Sequence, residues 1–228
     1  MIIRTTRLIL LAVILMAGSM SSLLADKLRP LEVDDYFSLR YPGSLQVSPD
    51  GEWLAYTISS QDLENDSRST RIWMIPVAGG EPRPMTSAAN SAWRPRWKPD
   101  GKSLSFLSSR DDSGTQVYTL DIRGGEGMRL TDIEQGVEGF EWSPDGTKLA
   151  LLIRDKEPEE KTIPWVIDRV RFKQDYVGYL NRQRGHLYVY DIGSSELRQL
   201  TGGDYEDYSP AWSPDGSRIA FVSNRSAE

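Results

Sequence analysis

The chain contains one histidine, His186, so any serine–histidine hydrolytic relay would have to run through it. Its setting argues for another role. It opens the segment His186-Leu187-Tyr188-Val189-Tyr190, and two segments that align with this one without gaps open with Arg71 and Gln116. A repeated position that accepts Arg, Gln and His is a polar structural position. No Gly-x-Ser-x-Gly nucleophile elbow occurs, and Gly193-Ser194-Ser195-Glu196 departs from that pattern. With no cysteine and no histidine pair, the usual zinc ligands and all disulfides are excluded. Asp50, Asp100, Asp145 and Asp215 could suggest calcium, but they fall one per repeat beside a glycine, where aspartate builds turns. No catalytic, metal or cofactor-binding residue is therefore expected.

A second chemistry lies in Arg169, Arg171, Lys173, Arg182 and Arg184, a basic cluster in an acidic protein. Guanidinium groups bind carboxylates bidentately, so the cluster could hold a peptide carboxylate or an acidic protein face. The competing reading pairs it with Asp168, Asp175 and the acidic run at Glu157, Glu159 and Glu160, the ordinary fate of surface charge.

The elements that position these residues are set by a repeat. Ser48-Pro49-Asp50-Gly51 recurs as Lys98-Pro99-Asp100-Gly101, Ser143-Pro144-Asp145-Gly146 and Ser213-Pro214-Asp215-Gly216, at spacings of 50, 45 and 70 residues. Proline presets the second turn position, and glycine accepts the left-handed conformation that closes a bulged hairpin. Each turn is preceded by a strand ending in Val47, Trp97, Trp142 or Trp212, and the tryptophans predict a recurring inter-unit core. Downstream come the aromatic and β-branched segments opened by Arg71, Gln116 and His186, then a glycine turn and closing strands ending in Thr86, Thr131 and Thr201. Four short strands per unit, stacked on neighbours, describe a propeller blade.

The expected fold is all-β, a partial β-propeller of about three and a half four-stranded blades. Blades are predicted over residues 44–90, 91–135 and 136–204, with a partial one over 205–228. Residues 26–43 read as an arm or short helix. Residues 1–25 combine Arg4 and Arg7, an apolar run over 8–17 and small residues up to Ala25, the pattern of a signal peptide. Its cleavage would leave 25 basic against 33 acidic residues, a net charge of −8 that argues against a nucleic-acid partner. Export to the periplasm or medium, without stable membrane insertion after cleavage, is the expectation. Between Ile153 and Gly185 the third blade carries an insertion of about 25 residues. Its Val170-Arg171-Phe172-Lys173 alternation suggests a hairpin that either binds a ligand or braces a neighbour. Asn65-Asp66-Ser67 and Asn224-Arg225-Ser226 fit a glycosylation pattern short enough to arise by chance.

The blade motif Trp-Ser-Pro-Asp-Gly followed by Leu/Ile-Ala resembles repeats shared by TolB-like periplasmic proteins and the prolyl oligopeptidase family of serine peptidases. The insertion, from Arg169-Val170-Arg171-Phe172 through Gly178-Tyr179-Leu180-Asn181 to Arg184-Gly185-His186, resembles the acylaminoacyl- and dipeptidyl-peptidase-like branch. The resemblance implies a propeller that gates a carboxy-terminal α/β-hydrolase domain bearing Ser, Asp and His, and admits short peptides. Within the insertion, Arg169, Arg171, Tyr179 and Arg184 are the residues expected to contact substrate or that domain. The expected partners are a peptide substrate and the hydrolase domain, and the chain reads as a fragment that is inactive alone. The alternative is a TolB-like binding scaffold. A complete protein of three and a half blades would leave strand edges open to aggregation.

Overall fold

The computed structural model describes residues 29–111, 113–156, 167, 172–175, 178–179 and 183–225. The signal-peptide expectation lies outside them. The chain divides after Ser38. In the first unit the expected arm contains helix α1 (Asp35–Ser38). Asp35 holds its start, pairing with Arg29 and accepting the Glu32 N–H at 2.9 Å. A carboxylate in the first turn is where a helix welcomes negative charge.

The second unit is a row of antiparallel sheets. The first contains β1 (Tyr41–Val47), β2 (Trp53–Asp62), β3 (Ser67–Pro76) and β4 (Arg83–Pro84). The second contains β5 (Ala92–Trp97), β6 (Ser103–Ser108), β7 (Gln116–Asp121) and β8 (Met128–Arg129). The third contains β9 (Gly139–Trp142), β10 (Lys148–Arg154), β13 (Gly185–Asp191) and β14 (Leu197–Gln199). Between β10 and β13 the insertion forms a two-residue hairpin, β11 (Lys173–Gln174) with β12 (Gly178–Tyr179). The fourth sheet holds β15 (Asp207–Trp212) and β16 (Ile219–Ser223). This is the expected partial propeller. The hairpin takes in Lys173 of the Val170-Arg171-Phe172-Lys173 alternation, whose first two residues lie outside the described set.

The four turns share one geometry. Gly51, Gly101, Gly146 and Gly216 have φ of 77°, 68°, 68° and 69°, and each donates its N–H to the residue three before it. Each aspartate accepts the backbone N–H two residues on, at 3.0–3.1 Å. Where serine opens the turn, its hydroxyl donates to that aspartate and accepts the N–H five residues ahead. Lys98 has no such hydroxyl and reaches Asp100 through Nζ at 3.5 Å.

The core lies between sheets. One cluster joins Ala55, Ile72 and Met74 of the first blade to Trp97, Leu104, Phe106 and Tyr118 of the second. Another joins Leu107 and Val117 of the second to Phe140, Leu149, Leu151 and Ile153 of the third. Phe106 and Leu107 point to opposite faces, as period-two alternation requires, and both are buried. The tryptophan wall is present and polar at its tip. Trp97 and Trp212 donate indole N–H groups to the carbonyls of Gln46 and Glu141 in the preceding blade, and Trp142 donates to the Ser105 hydroxyl. Each ring thus supplies apolar burial and one directional bond across the junction.

Candidate functional site

Strand register places the starts of the inner strands beside the ends of the second strands: Ala92 pairs with Ser108, Gly139 with Leu152 and Asp207 with Ser223. The insertion leaves and rejoins its blade at this end. Its root is closed by Asp155, which donates its N–H to the Arg184 carbonyl at 2.8 Å and accepts the Arg184 N–H on Oδ2 at 2.9 Å.

The polar position opening each third strand performs one structural task in three ways. Thr86, Thr131 and Thr201 accept the N–H of Ile72, Val117 and Leu187 on their hydroxyls, at 3.0, 3.0 and 2.9 Å. Beside them, Arg71 donates to the Thr86 carbonyl, and Gln116 donates to the Ile133 carbonyl while accepting the Ile133 N–H. His186, buried like Gln116, reaches further. Its Nδ1 stands 3.4 Å from Asp207 Oδ2 and its Nε2 3.5 Å from Asp155 Oδ1. Burial pushes the Asp207 carboxyl up, but the Ser223 and Thr201 hydroxyls, His186 and the charge of Arg225 outweigh it and hold it below the usual range. His186 therefore ties the insertion root and the fourth sheet to the third blade. Its described partners are two carboxylates and no serine, which is not the arrangement of a serine relay.

Of the four residues expected to contact substrate or a further domain, Arg169 and Arg171 lie outside the described residues. Tyr179 is placed in β12, its backbone opposite Lys173. Arg184 is paired, its Nε 2.9 Å from Asp204 Oδ1. That carboxylate comes from the link after β14 rather than from Asp168 or Asp175. Nearby, Arg154 bridges Glu138 at 2.7 Å and Glu206 at 3.3 Å, joining the lead-ins to two inner strands. Among the described residues no group of acidic, histidine or cysteine side chains is arranged to hold a metal.

The inner strands hold a feature that sequence reasoning missed. Ser44, Arg94 and Ser209 occupy the same place, three residues before Val47, Trp97 and Trp212. All three have left-handed backbone, with φ of 50°, 54° and 53°, at a bulge in the pairing to the second strand. Bulges re-aim side chains, and left-handed backbone is unfavourable for a residue other than glycine. The equivalent in the third blade is Gly139. A Cβ added there would meet Arg94 Nη1, Cζ and Nη2 at 2.8, 3.0 and 3.2 Å, so the guanidinium lies flat over this glycine. Arg94 Nε is buried without a hydrogen-bond partner. The neighbouring Arg96 is neutralised by Glu141 at 2.7 Å. Burial and the charge of Arg96 lower the Arg94 pKa, and Glu141 opposes them. Aligning the repeats on their tryptophans would have shown Arg94 as the one charged residue of its series.

No protein-family model matches the chain. Its sequence is 30% identical over 204 residues to an uncharacterised peptidase, YuxL, of Bacillus subtilis, covering 85% of this chain and 31% of that protein. The chain thus spans about a third of that relative. The fold matches the acylaminoacyl peptidase of Pyrococcus horikoshii with a TM-score of 0.61 and 19% identity, over 78% of this chain and 27% of that one. It also matches a TolB from Agrobacterium tumefaciens with a TM-score of 0.51 and 22% identity, over 81% and 70%. The chain has the propeller fold that these peptidases carry, and its sequence likeness extends to a peptidase.

Proposed function

We propose that this chain is the amino-terminal, substrate-gating propeller of an exported serine peptidase of the prolyl oligopeptidase family that acts on short peptides. The observation that carries this reading is the 30% identity to a peptidase across 85% of the chain. In the intact protein a carboxy-terminal α/β-hydrolase domain supplies the serine, aspartate and histidine, by way of an acyl-enzyme. The propeller stands over that centre and admits peptides rather than folded proteins. The buried, carboxylate-bracketed His186 fits a segment that lends architecture and not chemistry. The insertion rooted at Asp155 and Arg184, with Arg169, Arg171 and Tyr179 on it, faces substrate or the hydrolase domain. Residues 1–25 direct export.

The second reading is a non-enzymatic TolB-like scaffold, favoured by the fold match that covers 70% of a TolB chain. Expressing the full open reading frame and offering it aminoacyl and dipeptidyl reporters separates the two. Cleavage of short reporters with larger proteins spared supports the gated peptidase, whereas no hydrolysis favours the scaffold. The present chain alone is expected to be inert. Reporter cleavage by it that vanished on His186→Ala would overturn the architectural role of that histidine.

A further inference from the structure

We infer that Arg94 is a carboxylate-binding residue on the inner strand of the second blade, and that its ligand is the carboxyl terminus of a peptide. The identity of the ligand as a peptide rests on the function proposed above; the anion site rests on geometry alone. Arg94 forms no side-chain ion pair or hydrogen bond with the described residues, although its neighbour Arg96 is matched to a glutamate. Its Nε is buried and unpartnered, while the residue as a whole is only half-buried. A guanidinium laid flat on Gly139 presents its planar fork edge-on, the geometry that accepts a carboxylate through two parallel bonds.

The repeat supplies the comparison. At the same bulge, two other blades place the short, neutral Ser44 and Ser209, while the third blade pairs without a bulge and has at this position the glycine on which Arg94 rests. The bulge thus recurs in three of the four described sheets, whereas the cation belongs to one blade. Arg94 and Arg96 together face one carboxylate, Glu141, leaving a single positive charge unmatched. One carboxylate is the ligand that completes this balance.

The test is calorimetric titration of the full chain with Ala-Ala-Ala as free acid and as its carboxyl-terminal amide. The free acid is expected to bind at least about tenfold more tightly than the amide, the scale of two charge-assisted hydrogen bonds lost. Arg94→Gln should abolish the preference, and Arg94→Lys should keep only part of it because an ammonium lacks the planar fork. Arg68→Gln, at an exposed cation remote from the inner strand, should leave the preference intact. Gly139→Ala supplies a second disruption from the other side, by displacing the guanidinium. Equal binding of acid and amide, binding of neither, or a preference that survives Arg94→Gln in a chain with an unchanged unfolding midpoint would overturn the inference. Because no arm measures hydrolysis, a failure of the peptidase reading would show in the reporter assay and leave these titrations standing.

Discussion

The first blade's outer face and the junction between the first and second blades are built from the same repeat positions, yet one is surface and the other core. Leu45 and Val47 are 63% and 59% exposed, whereas their equivalents Pro95 and Trp97 are buried against the preceding blade, Trp97 at 8%. The fourth sheet repeats the contrast, with Phe221 and Val222 exposed at places where Leu151 and Leu152 of the third blade are buried or half-buried. The difference teaches that a blade has no core of its own. Its strands are apolar on both faces, and each face becomes interior only when a neighbour covers it.

Truncating an apolar side chain in the junction and another on the open face should have unequal costs. Phe106→Ala, between the first and second blades, should cost about 3–5 kcal/mol in urea unfolding, through lost burial and a residual cavity. Leu45→Ala, on the open face, should change stability by less than about 0.5 kcal/mol. Equal costs would mean that the open face is covered in solution.

A smaller effect isolates the directional part of the junction. Trp97→Phe keeps an aromatic ring but removes the N–H that bonds the Gln46 carbonyl at 3.1 Å, and should cost about 1 kcal/mol. Val47→Ala, at the equivalent but exposed place, should lie within about 0.5 kcal/mol of the parent.

The smallest effect belongs to the turns, which are alike whether or not their blade is covered. Hydrogen bonds from Ser143 and Thr147 hold Asp145 at about 2, and those from Ser213 and Ser217 hold Asp215 at about 2. A carboxyl depressed in the folded state adds stability that is fully present above its ordinary value near 3.8 and is lost as pH falls toward 2. Unfolding midpoints measured from pH 5 to pH 2 should therefore fall less steeply in Asp145→Asn and Asp215→Asn than in the parent. A parallel slope would show that these hydrogen bonds do not persist in solution.

The turns and the tryptophan wall were legible in the sequence because each depends on residues a few places apart. Pro, Asp and Gly act through local backbone preference, and Trp97, Trp142 and Trp212 stand at a fixed offset from them. Arg94 was not legible, since nothing local marks a left-handed arginine, and the surface on which its guanidinium rests is Gly139 of the next blade. The partners of His186 were hidden for the same reason. Asp155 and Asp207 lie 31 residues before it and 21 after it, and only the insertion root and the blade junction bring them together. Strands β4, β8 and β14 also stop two residues before the expected ends at Thr86, Thr131 and Thr201. Past their last paired residues, the hydroxyls of Thr86, Thr131 and Thr201 take over the bonding to the third strand.

Whether this propeller serves a peptidase is tested most directly by reading the coding frame beyond the codon for Glu228. The expected result is a frame that runs through further Pro-Asp-Gly blades into a Gly-x-Ser-x-Gly elbow, followed by aspartate and histidine in that order. A stop codon reached after further blades, with no such elbow, would contradict the claim and leave a binding scaffold in its place.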